Sequence, residues 1–205
     1  MITLYTVPTG NGYRASILLE ESGLPYTVRA VALDALRAPD FLAVSPLGKA
    51  PAIVDDDTPD GRTIAISESL AIALYVSEKS GRMIPDTIAD RARAAMWGAA
   101  IVAGFGGAIA GIFHARAIDS TAHAAVITKH FADVDFHLGA LEQALSVAPY
   151  LGGANYSWAD AIAAPMMLST LPKYNVTLDG FPAILDWRDR IAVRPGVLAG
   201  MAVPS

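Results

Sequence analysis

Pro46-Leu47-Gly48-Lys49-Ala50-Pro51, running straight into Ala52-Ile53-Val54, is the stretch on which the reading of this chain turns. A proline at the head of a short apolar run is tolerated as the first residue of a strand, because it has no N–H to give to a ladder. If the Ala50–Pro51 bond is cis, the N–H and C=O of Ala50 turn outward and an extended peptide can pair with them. An ordinary trans turn with no ligand fits the same six residues equally well. The surroundings must decide.

Toward the N-terminus, Thr3 to Val7 is strand-like. Asn11 to Ser22 carries helical spacing at Ala15, Leu18 and Leu19 and stops at Gly23, and a second strand spans Tyr26 to Leu33. Pro39-Asp-Phe-Leu gives a short helical turn. Beyond Val54, the polar turn Asp55 to Gly61 closes on Asp-Gly and leads to a hairpin partner, Thr63 to Ile66. Ser67 reads as the N-cap of a helix with Leu70, Leu74 and Tyr75 on one buried stripe, continuing to about Lys79. The order is βαβ, a short helix, then ββα, which matches a compact α/β domain with mixed strand directions, as in thioredoxin-like folds.

Residues 1–80 therefore form the first domain. Residues 81–87, with Pro85, form a linker, and residues 88–205 form an all-helical bundle domain. In the bundle, Trp97, Ile101, Phe105, Ile109, Ile112 and Phe113 share one helix face, while Ala100, Gly104, Gly107 and Gly111 share another. Ile127, Phe131, Val134, Leu138, Leu141 and Leu145 mark the seam of a second long helix. Ser157-Trp-Ala-Asp160 is a capping box opening a further one.

Composition narrows the chemistry. The chain has 205 residues, 53% of them hydrophobic, with no cysteine and a net charge of -5. That is ample material for a core. It excludes disulfides and a protein thiol nucleophile, and any thiol chemistry must use a borrowed sulfur. The acidic balance argues against a nucleic-acid partner. Met1 to Val7 has no basic n-region, so a cytoplasmic protein is expected. The uncharged run Ala94 to Phe113 has the length of a membrane span, but its large side chains lie on one side, which favours a core helix and no membrane.

Several polar groups compete for function. Pro8-Thr-Gly-Asn-Gly12 places two glycines, Thr9 and Asn11 at a helix N-terminus, where a thiolate would be stabilised; turn chemistry alone explains these residues equally well. Ser67-Glu68-Ser69 opens a helix whose free N–H groups attract a carboxylate while Glu68 holds an adjacent ammonium, and plain capping is the simpler account on spacing alone. His123, His130 and His137 recur every seven residues, about 10 Å apart on a helix and too far for neighbours to share a metal. Asp55, Asp56, Asp57 and Asp60 have the composition of a cation loop, but the Asp-Gly closure favours a solvated hairpin turn, so no metal is expected.

Taken in order and spacing, the Thr9-Gly-Asn-Gly12 turn, the Lys49-Ala50-Pro51 segment, Glu68-Ser69 and the following helical domain with its capping box resemble the glutathione transferase family over essentially the whole chain. The first turn looks most like the bacterial and fungal nu-type class. The resemblance implies that Ala50 before Pro51 pairs with the cysteinyl backbone of glutathione, and that Glu68 and Ser69 hold its γ-glutamyl end. Lys49 would face the glycyl carboxylate, with Arg37 a second candidate. Gly10 stands where a serine falls in some classes, and Tyr5 lies inside a strand, so the sulfur falls to Thr9 first and Asn11 second. The resemblance further implies a homodimer and an electrophile pocket of Tyr13, Ile101, Gly104 and Phe105. The leading expectation is conjugation of glutathione to a small apolar electrophile. Glutathione-dependent reduction of a disulfide or peroxide, which needs no protein cysteine if two glutathiones bind together, is the alternative. A non-catalytic ligand-binding protein is the third.

Overall fold

The computed structural model describes residues 1–58 and 60–204, so Pro59 in the expected hairpin turn and Ser205 at the end of the helical domain lie outside the described residues. Strand β1 (Ile2–Thr6) is followed by helix α1 (Gly10–Ser22) and by β2 (Tyr26–Ala30), which returns parallel to β1. Strands β3 (Ala52–Asp55) and β4 (Ile64–Ser67) add antiparallel, giving the order β2-β1-β3-β4. This is a thioredoxin-like sheet. β1 alternates as a half-buried strand should, with Ile2, Leu4 and Thr6 turned inward.

Three local expectations are corrected here. β2 stops at Ala30, short of Leu33, which instead opens a 3₁₀ turn (Leu33–Arg37) leading into α2 (Pro39–Leu42). β2 is an edge strand, and after Val31 N–H donates to Thr6 C=O at 2.9 Å, β1 has no further residue to pair with it. Ser67 is not a cap: it pairs with Ala52 inside β4, and α3 (Ser69–Ser80) begins after Glu68. The buried face of α3 is Ile72, Ala73 and Val76 rather than the Leu70–Leu74 stripe, and Leu74 is exposed. α3 packs against both α1 and, further along the chain, α7 (Trp158–Pro165), so small and β-branched residues take the contact.

After Gly81, whose left-handed φ of 66° ends α3, helices α4 (Ile88–Ala99) and α5 (Gly106–Asp119) join through a π-helical segment, Ala100–Phe105, into one rod. The rod is long and apolar enough to cross a membrane by length and composition. In this fold one of its stripes, Ile101, Phe105 and Ile112, is fully buried in the core. A second stripe meets α6 (Ala124–Val147), where Gly104 and Gly111 lie under the imidazoles of His137 and His130. A Cβ at either glycine would overlap the ring. The seven-residue histidine repeat is thus matched by a seven-residue glycine repeat on the antiparallel neighbour, a packing device between two helices. His137 also lies against Phe105, 5.0 Å between ring centroids, and its Nδ1 donates to the Asp133 carbonyl at 2.5 Å.

The chain ends with a π-helical segment (Met166–Thr170) continuing α7, then α8 (Leu171–Lys173), α9 (Pro182–Ala192) and α10 (Pro195–Met201). Asp160 anchors this half. Fully buried, it accepts the backbone N–H groups of Ser157 and Leu151, the Ser157 hydroxyl and the Trp187 indole N–H, all at 2.9 Å. Burial nevertheless pushes its carboxyl above the usual carboxylate range. α1 is clamped to α10 by Ser16, which donates to the Gly200 carbonyl at 2.6 Å. Arg194 adds a bidentate pair with Glu21 at 2.7 and 2.8 Å and lies 3.6 Å from the centre of the Tyr156 ring. The middle and the end of α1 are thereby fastened to the helical half.

Candidate active site

Between the two halves lies a cleft of about 730 Å³. Its polar wall is built by three segments of the thioredoxin-like domain. Thr9 caps α1 in an extended conformation, and its Oγ1 accepts the Gly12 N–H at 3.3 Å, leaving the hydroxyl proton free to point elsewhere. Gly12 tolerates no side chain, since a Cβ there would overlap the Val7 carbonyl and the Thr6 hydroxyl; this close approach turns the chain so that Thr9, Asn11 and Tyr13 all line the cleft. The second segment is Lys49-Ala50-Pro51, with the Ala50–Pro51 bond cis and all three residues on the cleft. Buried Ser45 braces it, donating to the Lys49 carbonyl at 2.8 Å and accepting the Lys49 N–H at 3.2 Å.

The third segment is the start of α3. Glu68 sits at φ 74°, a left-handed conformation that a non-glycine side chain adopts at a cost of about 1–3 kcal/mol. No side chain caps the helix after it. Glu68 and Ser69 both face the cleft, so the free N–H groups of α3 and the Glu68 carboxylate stand together, an arrangement suited to a carboxylate beside an ammonium.

The opposite wall corrects the sequence reading. Ile101 and Phe105 are fully buried in the core and Gly104 faces His137, so none of the three lines the cleft. Large apolar side chains on a helix seek the interior, and the cleft receives the neighbouring stripe: Val102, Ala103, Gly106, Gly107 and Ala110, ending at Phe113. Phe113 is 57% exposed rather than part of the buried face. Arg37 is also displaced. It packs on Gly48, with Nη1 3.5 Å from the Leu47 carbonyl, outside the residues that line the cleft. Tyr5 packs against Phe41 and Arg29 away from it.

Sequence reasoning missed Arg14, Ser169, Thr170 and Lys173, all of which line the cleft. Arg14 is the most unusual. It is 3% exposed, its Nε is buried without a partner, and it makes no hydrogen bond or ion pair among the described residues. Burial alone pulls its pKa down to about 10. The signal was present, because Arg14 occupies the same helical face as Leu18, and an arginine on an apolar face calls for an anion. Asp55, by contrast, is turned inward to Tyr75 at 2.6 Å and to Lys79, and Asp60 pairs with Arg62.

A mixed four-stranded sheet, a cis-proline strand entrance and a cleft closed by a helical bundle define the class of two-domain proteins that join a thioredoxin-like domain to a helical one. The family descriptions "Glutathione S-transferase, N-terminal domain" and "Glutathione S-transferase, C-terminal domain" match residues 11–79 and 107–195. The chain is 32% identical to the disulfide-bond oxidoreductase YfcG of Escherichia coli over 200 residues, 95% of this chain and 92% of that one. Among solved structures it is similar to a Pseudomonas fluorescens glutathione transferase family member with two glutathione bound, at a TM-score of 0.92, 29% identity and coverage of 99% and 93% of the two chains. A Pseudomonas putida glutathione transferase with one glutathione disulfide per subunit gives a TM-score of 0.92 at 28% identity, covering 100% and 92%. The chain belongs to the glutathione S-transferase family.

Proposed function

We propose that this protein is a glutathione-dependent disulfide-bond reductase of the nu type whose cleft takes two glutathione units at once. The observation that carries this reading is the surplus of cationic groups. One glutathione on the polar wall uses Lys49, Ala50, Glu68 and Ser69, with its sulfur at Thr9 and Asn11 on the α1 N-terminus. Arg14 and Lys173 remain as cations on the same cleft, suited to the carboxylates of a second tripeptide. The small-residue stripe of Ala103, Gly106, Gly107 and Ala110 leaves room for it. The likeness to a disulfide-bond oxidoreductase and to structures holding two glutathiones or glutathione disulfide supports the same choice over conjugation.

With no cysteine in the chain, both sulfurs come from glutathione. The thiolate at the α1 N-terminus attacks one sulfur of the substrate disulfide, forming a mixed disulfide and releasing the other half as a thiolate. The second glutathione attacks the glutathione sulfur of that mixed disulfide, forming glutathione disulfide and releasing the remaining half. The two thiol protons pass to the two leaving thiolates, so two glutathiones are oxidised for one disulfide reduced. Neutral donors and the helix dipole favour the attacking anion over the free thiol, whose pKa is about 8.5. Conjugation remains the second reading because Val102, Ile109, Phe113 and Met166 give the cleft an apolar flank. The test compares turnover of glutathione with a small aliphatic disulfide and with an aromatic electrophile. Turnover of the disulfide in preference to the electrophile is expected; the reverse preference overturns the reductase assignment. A homodimer is proposed as the working assembly, checked by light scattering.

A further inference from the structure

Gly10, at the start of α1, is not among the glycines held at positive φ, so its backbone conformation would accept an ordinary side chain. What forbids one is a single neighbour. An ideal Cβ on Gly10 would overlap the Thr170 hydroxyl, while lying at an ordinary 3.8 Å from the Thr170 Cβ. The hydroxyl of Thr170 therefore occupies the space that a side chain of residue 10 would fill, beside Thr9 and Asn11 on the first turn of α1. It arrives there from the other half of the molecule, on the π-helical segment Met166–Thr170, a wide turn of the kind that re-aims side chains at functional sites.

Two further observations mark this as more than a packing contact. Thr170 is half-buried on the cleft wall, and its hydroxyl makes no hydrogen bond among the described residues, so an unused donor stands beside the first turn of α1, where the helix dipole favours an anion. Arg14, one turn further along α1, is a buried guanidinium without a partner on the same cleft. The surroundings of Gly10 thus hold a positive charge, a helix N-terminus and an unused hydroxyl.

We infer that Thr170 is a catalytic residue of this cleft, donating a hydrogen bond to the reacting sulfur from the helical domain in place of a side chain at position 10. The inference rests on the reading of the cleft as a glutathione site. It makes the sulfur-binding position a joint product of both domains: Thr9 and Asn11 from one, Thr170 from the other. It also explains why a glycine stands at position 10, since the hydroxyl reaches the sulfur by another route.

The test is the ultraviolet absorbance of bound thiolate against pH, with saturating glutathione, in a set of full-length variants. Thr170→Val keeps the shape and removes the hydroxyl, and should raise the bound thiol pKa by about one unit. Thr170→Ser should titrate like the parent. Gly10→Ser alone should lower the melting temperature, because its side chain collides with Thr170. Combined with Thr170→Ala the same serine fits, and the double variant should recover a bound-thiol pKa below that of Thr170→Ala alone. A Thr170→Val titration that superimposes on the parent overturns the inference, as does a double variant no different from Thr170→Ala. Those outcomes leave the glutathione reading standing. Failure of the parent protein to bind glutathione at all removes both together.

Discussion

Two helix starts in this chain read alike as sequence and behave in opposite ways as structure. Ser157-Trp-Ala-Asp160 and Ser67-Glu-Ser69 both place serine and an acidic residue at the head of a helix. The first is closed: Asp160 receives four donors, is fully buried and makes the end of α7 part of the core. The second is open. Ser67 is taken by the sheet, Glu68 is held at a positive φ, and the first N–H groups of α3 face the cleft without a side-chain cap. A helix N-terminus satisfied from within its own chain is scaffold, whereas one left unsatisfied at the wall of a cleft is disposed toward a ligand.

That contrast can be broken or sharpened by mutation. The largest effect should come from the closed end. Asp160→Ala strands the Leu151 and Ser157 N–H groups and the Trp187 indole in the interior, at a cost of about 3–5 kcal/mol, read by urea unfolding. At the open end Glu68→Ala and Ser69→Ala should each weaken glutathione binding by about 1.5–3 kcal/mol, measured by calorimetry, with little change in melting temperature. Equal losses of stability at both ends would erase the distinction. Arg14→Met removes a buried charge that has no partner, and should stabilise the ligand-free protein by about 2 kcal/mol in urea while weakening binding of glutathione disulfide. Glu68→Gly should add about 1 kcal/mol of stability by relieving the positive φ, again with weaker binding.

The smallest effect is a pH dependence. Burial alone would raise the Asp55 carboxyl, but bonds from Lys79, Tyr75 and the Asp57 N–H outweigh it and hold its pKa below the usual range. A depressed folded-state pKa stabilises the protein above the unfolded value of about 3.9, and that contribution is lost as pH falls through the lower folded value. The stability difference between the parent and Asp55→Asn, followed by urea unfolding, should therefore shrink as the pH drops below about 4.

What the sequence disclosed follows the same division. The residues of the polar wall were legible because they lie in short segments: Thr9 to Asn11 with Tyr13, Lys49 to Pro51, and Glu68 with Ser69 all come to the cleft. The succession of strands and helices in the first domain followed from short apolar runs and the turn residues between them, whereas the order of strands across the sheet did not. The helical wall was not legible, because one rod presents three stripes and only packing decides which stripe meets the core, α6 or the cleft. The space over Gly104 is filled by the His137 ring, and Ile101 and Phe105 are too apolar to leave the interior. Thr170 was out of reach, since its approach to Gly10 joins residues far apart in the chain and depends on the π-helical turn that carries it.

Calorimetric titration of the purified protein with reduced glutathione and with glutathione disulfide tests the central claim most directly. Two reduced glutathiones per chain are expected, or one disulfide bound more tightly than either. One reduced glutathione per chain with no affinity for the disulfide would contradict it.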